Sequence, residues 1–148
     1  MQELRAVPDA ALIHALQAQL AAMKKQLALE DVSSCLWYVS ALNLEGATEE
    51  VHAAYGDLLA VVLTNASDGT IVYCNDAWVS MCGYSREEAL GRTNRELLQG
   101  AQTDMTVVRE LGVALAEGAP EAQATLRNYK KDGKVGFWND LHVQLLAG

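Results

Sequence analysis

Between Gly83 and Gly100 the chain can build neither a long helix nor a strand, and this stretch constrains the fold more than any other. Gly83, Gly91 and Gly100 punctuate it too often for a continuous helix, and its charge density is wrong for a buried strand. Ser85 has the chemistry of an N-cap, and Glu88, three residues on, completes a capping box that Gly91 closes. A second short helix is predicted over 94–99, stopped by Gly100. Two brief helices between glycines suit the wall of a pocket better than a bundle.

Upstream, Pro8 and Asp9 read as a helix start after a tail over 1–8. Ile13, Leu16, Leu20, Met23 and Leu27 then recur at spacings of three and four, an a/d seam that assigns 9–31 to an amphipathic helix of coiled-coil type. Such a seam packs against a second copy or against its own domain. The expectation taken forward is a homodimer through this helix and the sheet face. Residues 32–57 read as a linker, with strand composition over 35–39 and a short helix capped by Thr48.

The domain proper is expected over 58–148. An apolar run over 58–63, a turn cluster over 65–69 and a second strand over 70–73 make a hairpin. Asn75 and Asp76 cap a helix carrying Trp78, Val79 and Met81, which ends at Gly83. Beyond Gly100, Thr103 or Asp104 caps a longer helix with Val107, Val108, Leu111, Ala114 and Leu115 on one face. The last two strands flank Asp132 and Gly133, a strong hairpin signal.

This last hairpin carries an anomaly. Phe137, Asn139, Leu141, Val143 and Leu145 share one face of the second strand, and Asn139 interrupts an otherwise apolar set. On the first strand Ala122, Ala124, Leu126 and Asn128 share a face that also ends in an asparagine. A two-residue turn at Asp132 and Gly133 pairs Asn128 with Phe137 and Leu126 with Asn139, setting both amides on the inner face. A buried amide must find a partner: the other amide, water, a helix end, or a planar ligand whose edge offers donors and acceptors together.

Gly83-Tyr84-Ser85, then Gly91, Asn94, Leu98, Gln99 and Gly100, together with Asn128-Tyr129 and Phe137-Trp138-Asn139, resemble the PAS domain family, and most closely its flavin-binding LOV (light-oxygen-voltage) subgroup. The resemblance covers roughly 58–146. It implies an α+β fold, a PAS-like antiparallel β-sheet with short helices on one face, here preceded by the N-terminal helix. It also implies that Asn94, Arg95, Gln99, Arg109, Asn128, Asn139 and Leu141 are the cofactor-binding set, with FMN or FAD as the candidate cofactor.

The sequence departs from the family in four places. Arg95 or Asn94, depending on alignment, stands where the family carries its photoactive cysteine, so no covalent flavin adduct can form there. The second phosphate-binding arginine falls at Gly112 in an ungapped alignment, so Arg109, almost one turn earlier, would have to substitute. Asn128 and Asn139 lie eleven positions apart, one more than usual, which a bulge at Gly136 would absorb. Only four strands are readable after Ala53, whereas the family's sheet has five. Residues 35–42, from this chain or a second molecule, are expected to fill the missing central strand, because an open slot leaves backbone groups unpaired.

Composition narrows the function classes. Hydrophobic residues make up 51% of the 148, which fits a globular domain, and a net charge of −8 argues against nucleic acid or an anionic membrane as partner. No apolar run is long enough to span a bilayer, and the N-terminus lacks a signal-peptide layout. Cys35, Cys74 and Cys82 have no metal-ligand spacing and read as free thiols of a reducing, cytoplasmic compartment. His14, His52 and His142 are scattered, and there is no phosphate loop or nucleophile elbow, so neither catalytic residues nor a metal site is expected. The expected function is a non-catalytic PAS/LOV-like signalling module acting by dimerisation and protein interaction, with a linked or separate effector domain. The alternative is a blue-light or redox sensor holding FMN or FAD non-covalently. The doubtful arginines and the missing strand favour the first; the four retained amides favour the second.

Overall fold

Strand-length apolar runs separated by turns give five strands, and a computed structural model joins them in one sheet. It describes residues 15, 16, 18, 19, 21, 22, 32–40, 59–133 and 135–146. The expected 1–8 tail, most of the 9–31 helix and the helix after Thr48 lie outside the described residues. The strands are β1 (Val32–Ser40), β2 (Ala60–Asn65), β3 (Ile71–Cys74), β4 (Glu121–Tyr129) and β5 (Gly136–Leu146), in the spatial order β3-β2-β1-β5-β4. Between β3 and β4 run α1 (Asp76–Cys82), α2 (Arg86–Ala89), α3 (Asn94–Leu98) and α4 (Met105–Ala116).

The two hairpins are antiparallel, as expected. The strand filling the central slot is β1 of the same chain. It runs parallel to both neighbours, from Cys35↔Ala60 to Ser40↔Asn65 on one side and from Val32↔Trp138 to Ser40↔Leu146 on the other. The sheet is therefore mixed where an antiparallel one was expected. Since β2 and β5 point the same way, a strand between them must be parallel to both or antiparallel to both. β1 enters parallel and supplies partners to two rows of otherwise orphaned backbone groups.

Register in the second hairpin is unbroken from Glu121↔Gln144 to Tyr129↔Gly136, with Leu126↔Asn139 and Asn128↔Phe137. The bulge expected at Gly136 does not form; the extra residue is taken up in the turn. There the Gly133 N–H donates to Lys130 O (2.8 Å) and the Val135 N–H to the Asp132 carboxylate (3.1 Å). Gly133 adopts φ 71°, which glycine tolerates without a steric penalty.

Both faces of the sheet are covered. Cys35, Ala60, Val62, Leu126, Phe137, Leu141 and Val143 face the helices and form the core with Trp78, Ala89, Leu97, Leu98 and Leu111. On the other face Leu36, Tyr38, Val61 and Leu63 are buried too. Leu16, a seam residue of the N-terminal helix, is buried beside Leu36, Gln123 and His142. That face also holds Asp140, which is fully buried. Burial raises its pKa, but hydrogen bonds from His142 Nε2 (3.1 Å) and Gln123 Nε2 (3.0 Å) outweigh it, so the carboxyl titrates below its ordinary range. Among the described residues no helix is long and apolar enough to cross a membrane.

Candidate functional site

The helical wall is built from local capping and pinned to the sheet. Asn75 caps α1 by accepting from the Trp78 N–H (3.0 Å), while the same amide accepts from Val61 N (2.9 Å) and donates to Leu59 O (2.8 Å). One buried side chain thus fixes where α1 leaves the sheet. Ser85 and Glu88 form the expected capping box of α2. Thr93 and Glu96 form a second one on α3, which starts at Asn94 as expected. Between the two helices, Gly91 N donates to Ile71 O (2.9 Å) and Ile71 N to Arg92 O (2.7 Å), tying the wall to β3. At its far end Gly100 lies against the Tyr129 ring, where an added Cβ would clash with Cδ1.

Wall and sheet enclose a cavity of about 410 Å³. Asn94, Arg95, Gln99, Asn128, Asn139 and Leu141 all line it, so six of the seven residues expected to act together are brought together. Arg109 is not among them. The face that α4 turns to the cavity is set by Val108, Leu111, Gly112 and Leu115, and Arg109, one position beyond Val108, is exposed. Gly112, the ungapped counterpart of the second arginine, does line the cavity.

The asparagines behave as an inner-face pair. Asn139 is fully buried and Asn128 nearly so, and Asn139 Nδ2 donates to Asn128 Oδ1 at 2.9 Å. That bond leaves Asn139 Oδ1 without a hydrogen-bond partner. Asn94 Oδ1 and the Trp78 indole Nε1 are also buried and unpartnered, and both residues line the same cavity. Of four such atoms among the described residues, three therefore converge on one space. Each is worth roughly 1–3 kcal/mol of lost hydrogen bonding, so their concentration here marks a place built for something polar to meet. The rest of the lining is apolar, with Val62, Leu98, Leu111, Leu115 and Leu126 prominent. Arg95, exposed on α3, supplies a cation at the rim and has no ion-pair partner among the described residues.

Several lining residues were not singled out from the sequence. Trp78 read as a core aromatic, and it is core, but its N–H has nothing to donate to. Cys35 and Trp37 come from β1. The alternation Cys35, Trp37, Val39 could have placed them on one face, but only the slot between β2 and β5 says which face that is. No thiol stands on α3. Burial, with the nearby Cys82 and Cys74 thiols adding to it, pushes the Cys35 thiol far up; burial raises Cys74 and Cys82 to about 11. All three are protonated at neutral pH and buried, so they react only as the fold opens locally.

A cavity of this kind, between short helices and the inner face of a five-stranded sheet, is the arrangement of a PAS domain. The PAS domain family matches residues 59–147, and the chain belongs to that family. Blue-light-activated histidine kinases and a light-oxygen-voltage domain are among the proteins it is similar to. Over 81 residues it is 43% identical to "Blue-light-activated histidine kinase 1" of Erythrobacter litoralis, a match covering 55% of this chain and 22% of the kinase. It is 38% identical over 103 residues to the "Blue-light-activated histidine kinase" of Brucella abortus, covering 68% of this chain and 20% of the kinase. The matched segment is thus about a fifth of each kinase. Among solved structures, one described as "Flavin Analogue Sheds Light on Light-Oxygen-Voltage Domain Mechanism" superposes with a TM-score of 0.56 at 34% identity, covering 62% of this chain and 67% of that one.

Proposed function

We propose that this domain is a sensor holding a flavin non-covalently, with FMN or riboflavin preferred over FAD, and that it responds to blue light or to redox state. The observation that carries the reading is the convergence of Asn139 Oδ1, Asn94 Oδ1 and Trp78 Nε1 on one apolar-walled cavity. An apolar space with a few convergent polar atoms suits a planar heteroaromatic ring, whose faces need hydrocarbon and whose edge needs donors and acceptors. Leu98, Leu111, Leu126 and Leu141 would take the ring faces, and one of the Asn139 and Asn94 side-chain oxygens would accept from the single N–H of the oxidised ring, leaving the other for an N–H gained on reduction. The Trp78 indole would donate to a ring acceptor, and Arg95 would meet a phosphate at the rim. A volume of about 410 Å³ lies toward the low end for small-molecule sites, which favours a single ring system and leaves an adenine outside.

The flavin, when bound, supplies visible-light absorption and reversible redox chemistry. The protein's share is to bind, orient and exclude water. With no thiol on α3, the family's cysteine adduct has no donor at that place, and the output is a change of flavin redox or hydrogen-bonding state. The blue-light activation named for the matched kinases supports this reading. An effector domain, linked or separate, and homodimerisation through the 9–31 helix and the sheet face belong to the same proposal; Leu16 of that seam is buried against the sheet of its own chain, so it takes no part in a contact between copies. Titrating riboflavin and FMN into flavin-free protein tests it. Quenching of flavin fluorescence to a one-to-one endpoint is expected; no quenching at any accessible concentration refutes it.

A further inference from the structure

We infer that β1 is the ligand-sensing strand of this site: Cys35 and Trp37 contact the bound ring from the sheet floor, and ligand occupancy and the seating of β1 between β2 and β5 are thermodynamically linked. The inference rests on the flavin-type reading above and concerns which element feels the ligand.

Cys35 and Trp37 are the residues β1 contributes to the cavity. In register, Cys35 lies beside Leu141 of β5, and Trp37 beside Val62 of β2; both neighbours line the cavity too. The floor therefore crosses all three central strands, and a ring lying on it touches β1 and both flanking strands at once. β1 differs from the other four in belonging to neither hairpin. Two parallel ladders hold it, together with the Trp37 Nε1–Thr64 Oγ1 bond (2.8 Å) and the Ser34 Oγ–Asp140 O bond (3.4 Å). Its two cavity-facing positions hold a thiol and an indole edge, and Asn139, whose Oδ1 has no partner, lies two residues from Leu141 on the adjacent strand.

A ligand that binds only when the floor is complete stabilises the seated form against the released one by the factor 1 + [L]/Kd, about 100-fold at a hundred times Kd. β1 is continuous in sequence with the N-terminal segment and is reached from β2 only through 41–59. Occupancy is thus reported toward the N-terminus of the domain.

The three native thiols make the test, because Cys35 sits on β1, Cys74 on β3 and Cys82 on α1, and only Cys35 lines the cavity. Labelling with N-ethylmaleimide is followed for each cysteine by peptide mass spectrometry, with and without saturating riboflavin. Riboflavin is expected to slow Cys35 labelling by about 10-fold or more beyond any slowing of Cys74 and Cys82. If riboflavin fluorescence is quenched yet the three thiols slow by one common factor, or Cys35 does not slow, the linkage is overturned and the flavin reading stands. If riboflavin is not quenched at all, the reading falls and takes the inference with it. Cys35→Phe, which fills the floor, is expected to weaken riboflavin about 10-fold or more while thermal unfolding stays cooperative; unchanged affinity in a folded variant overturns the contact.

Discussion

Replacing both inner-face amides with leucine, Asn128→Leu with Asn139→Leu, should leave the flavin-free domain at least as stable as it is now. Asn139 Oδ1 is buried without a partner, a deficit of roughly 1–3 kcal/mol. Against it stands one amide–amide bond at 2.9 Å, worth about 1 kcal/mol net. Leucine is close to asparagine in shape, and exchanging both partners for apolar groups is near neutral or stabilising. The expected balance is a gain of about 0–2 kcal/mol, or a melting temperature unchanged to several degrees higher. Asn139→Leu alone behaves differently, because it moves the unpartnered atom to Asn128 Oδ1 and gains nothing. Urea unfolding of the three flavin-free proteins reads the stabilities, and riboflavin titration reads function, which should be lost in the double variant. If the double variant is less stable than the parent by more than about 2 kcal/mol, the amides serve the fold, and the argument from unpartnered atoms to a ligand is wrong.

Gly100→Ala should destabilise by about 1–3 kcal/mol, since the new methyl meets the Tyr129 ring at the junction of α3 and β4; thermal unfolding at the parent's melting temperature disproves the clash. Ser85→Ala removes one half of the α2 capping box and should cost about 1 kcal/mol in chemical denaturation; no loss would mean that the box does not hold α2 in solution. Glu88, hydrogen-bonded by Lys131 and by the Ser85 backbone, titrates at about 2 in the folded state against an ordinary value of 4.5. Its contribution is present above 4.5 and is lost as pH falls toward 2, so Glu88→Gln should flatten the acid limb of the stability–pH curve across that window. An unchanged acid limb would mean the pair is solvent-separated in solution.

What was legible in the sequence was local. Ser85 with Glu88, Asn75 before Trp78, and Asp104 before the longer helix fix helix starts through contacts of three residues or fewer, and each is found where expected. The Asn128 and Asn139 register followed from one turn position and the two-residue period of a strand. The direction of β1 was not legible, because nothing within 32–40 encodes which way its two neighbours run. Arg109 was misplaced for a reason the helix period could have shown. If Val108, Leu111 and Leu115 face inward, the next residue after Val108 is turned about 100° away. Trp78 hid its polar role inside an apolar one, since whether an indole N–H finds an acceptor is decided by packing across the fold.

If the buried polar atoms of the sheet and of the helical wall meet one ligand, as proposed, nitrogen–proton NMR during riboflavin addition sees both walls respond. The three tryptophans give three indole resonances: Trp78, unpartnered at the cavity; Trp37, bonded to Thr64; and Trp138, whose ring stacks under Arg127. Riboflavin is expected to shift the Trp78 indole and the Asn139 side-chain amide together, and to leave Trp138 in place. Shifts confined to Trp138 and surface amides, with Trp78 and Asn139 unmoved at saturation, would contradict it.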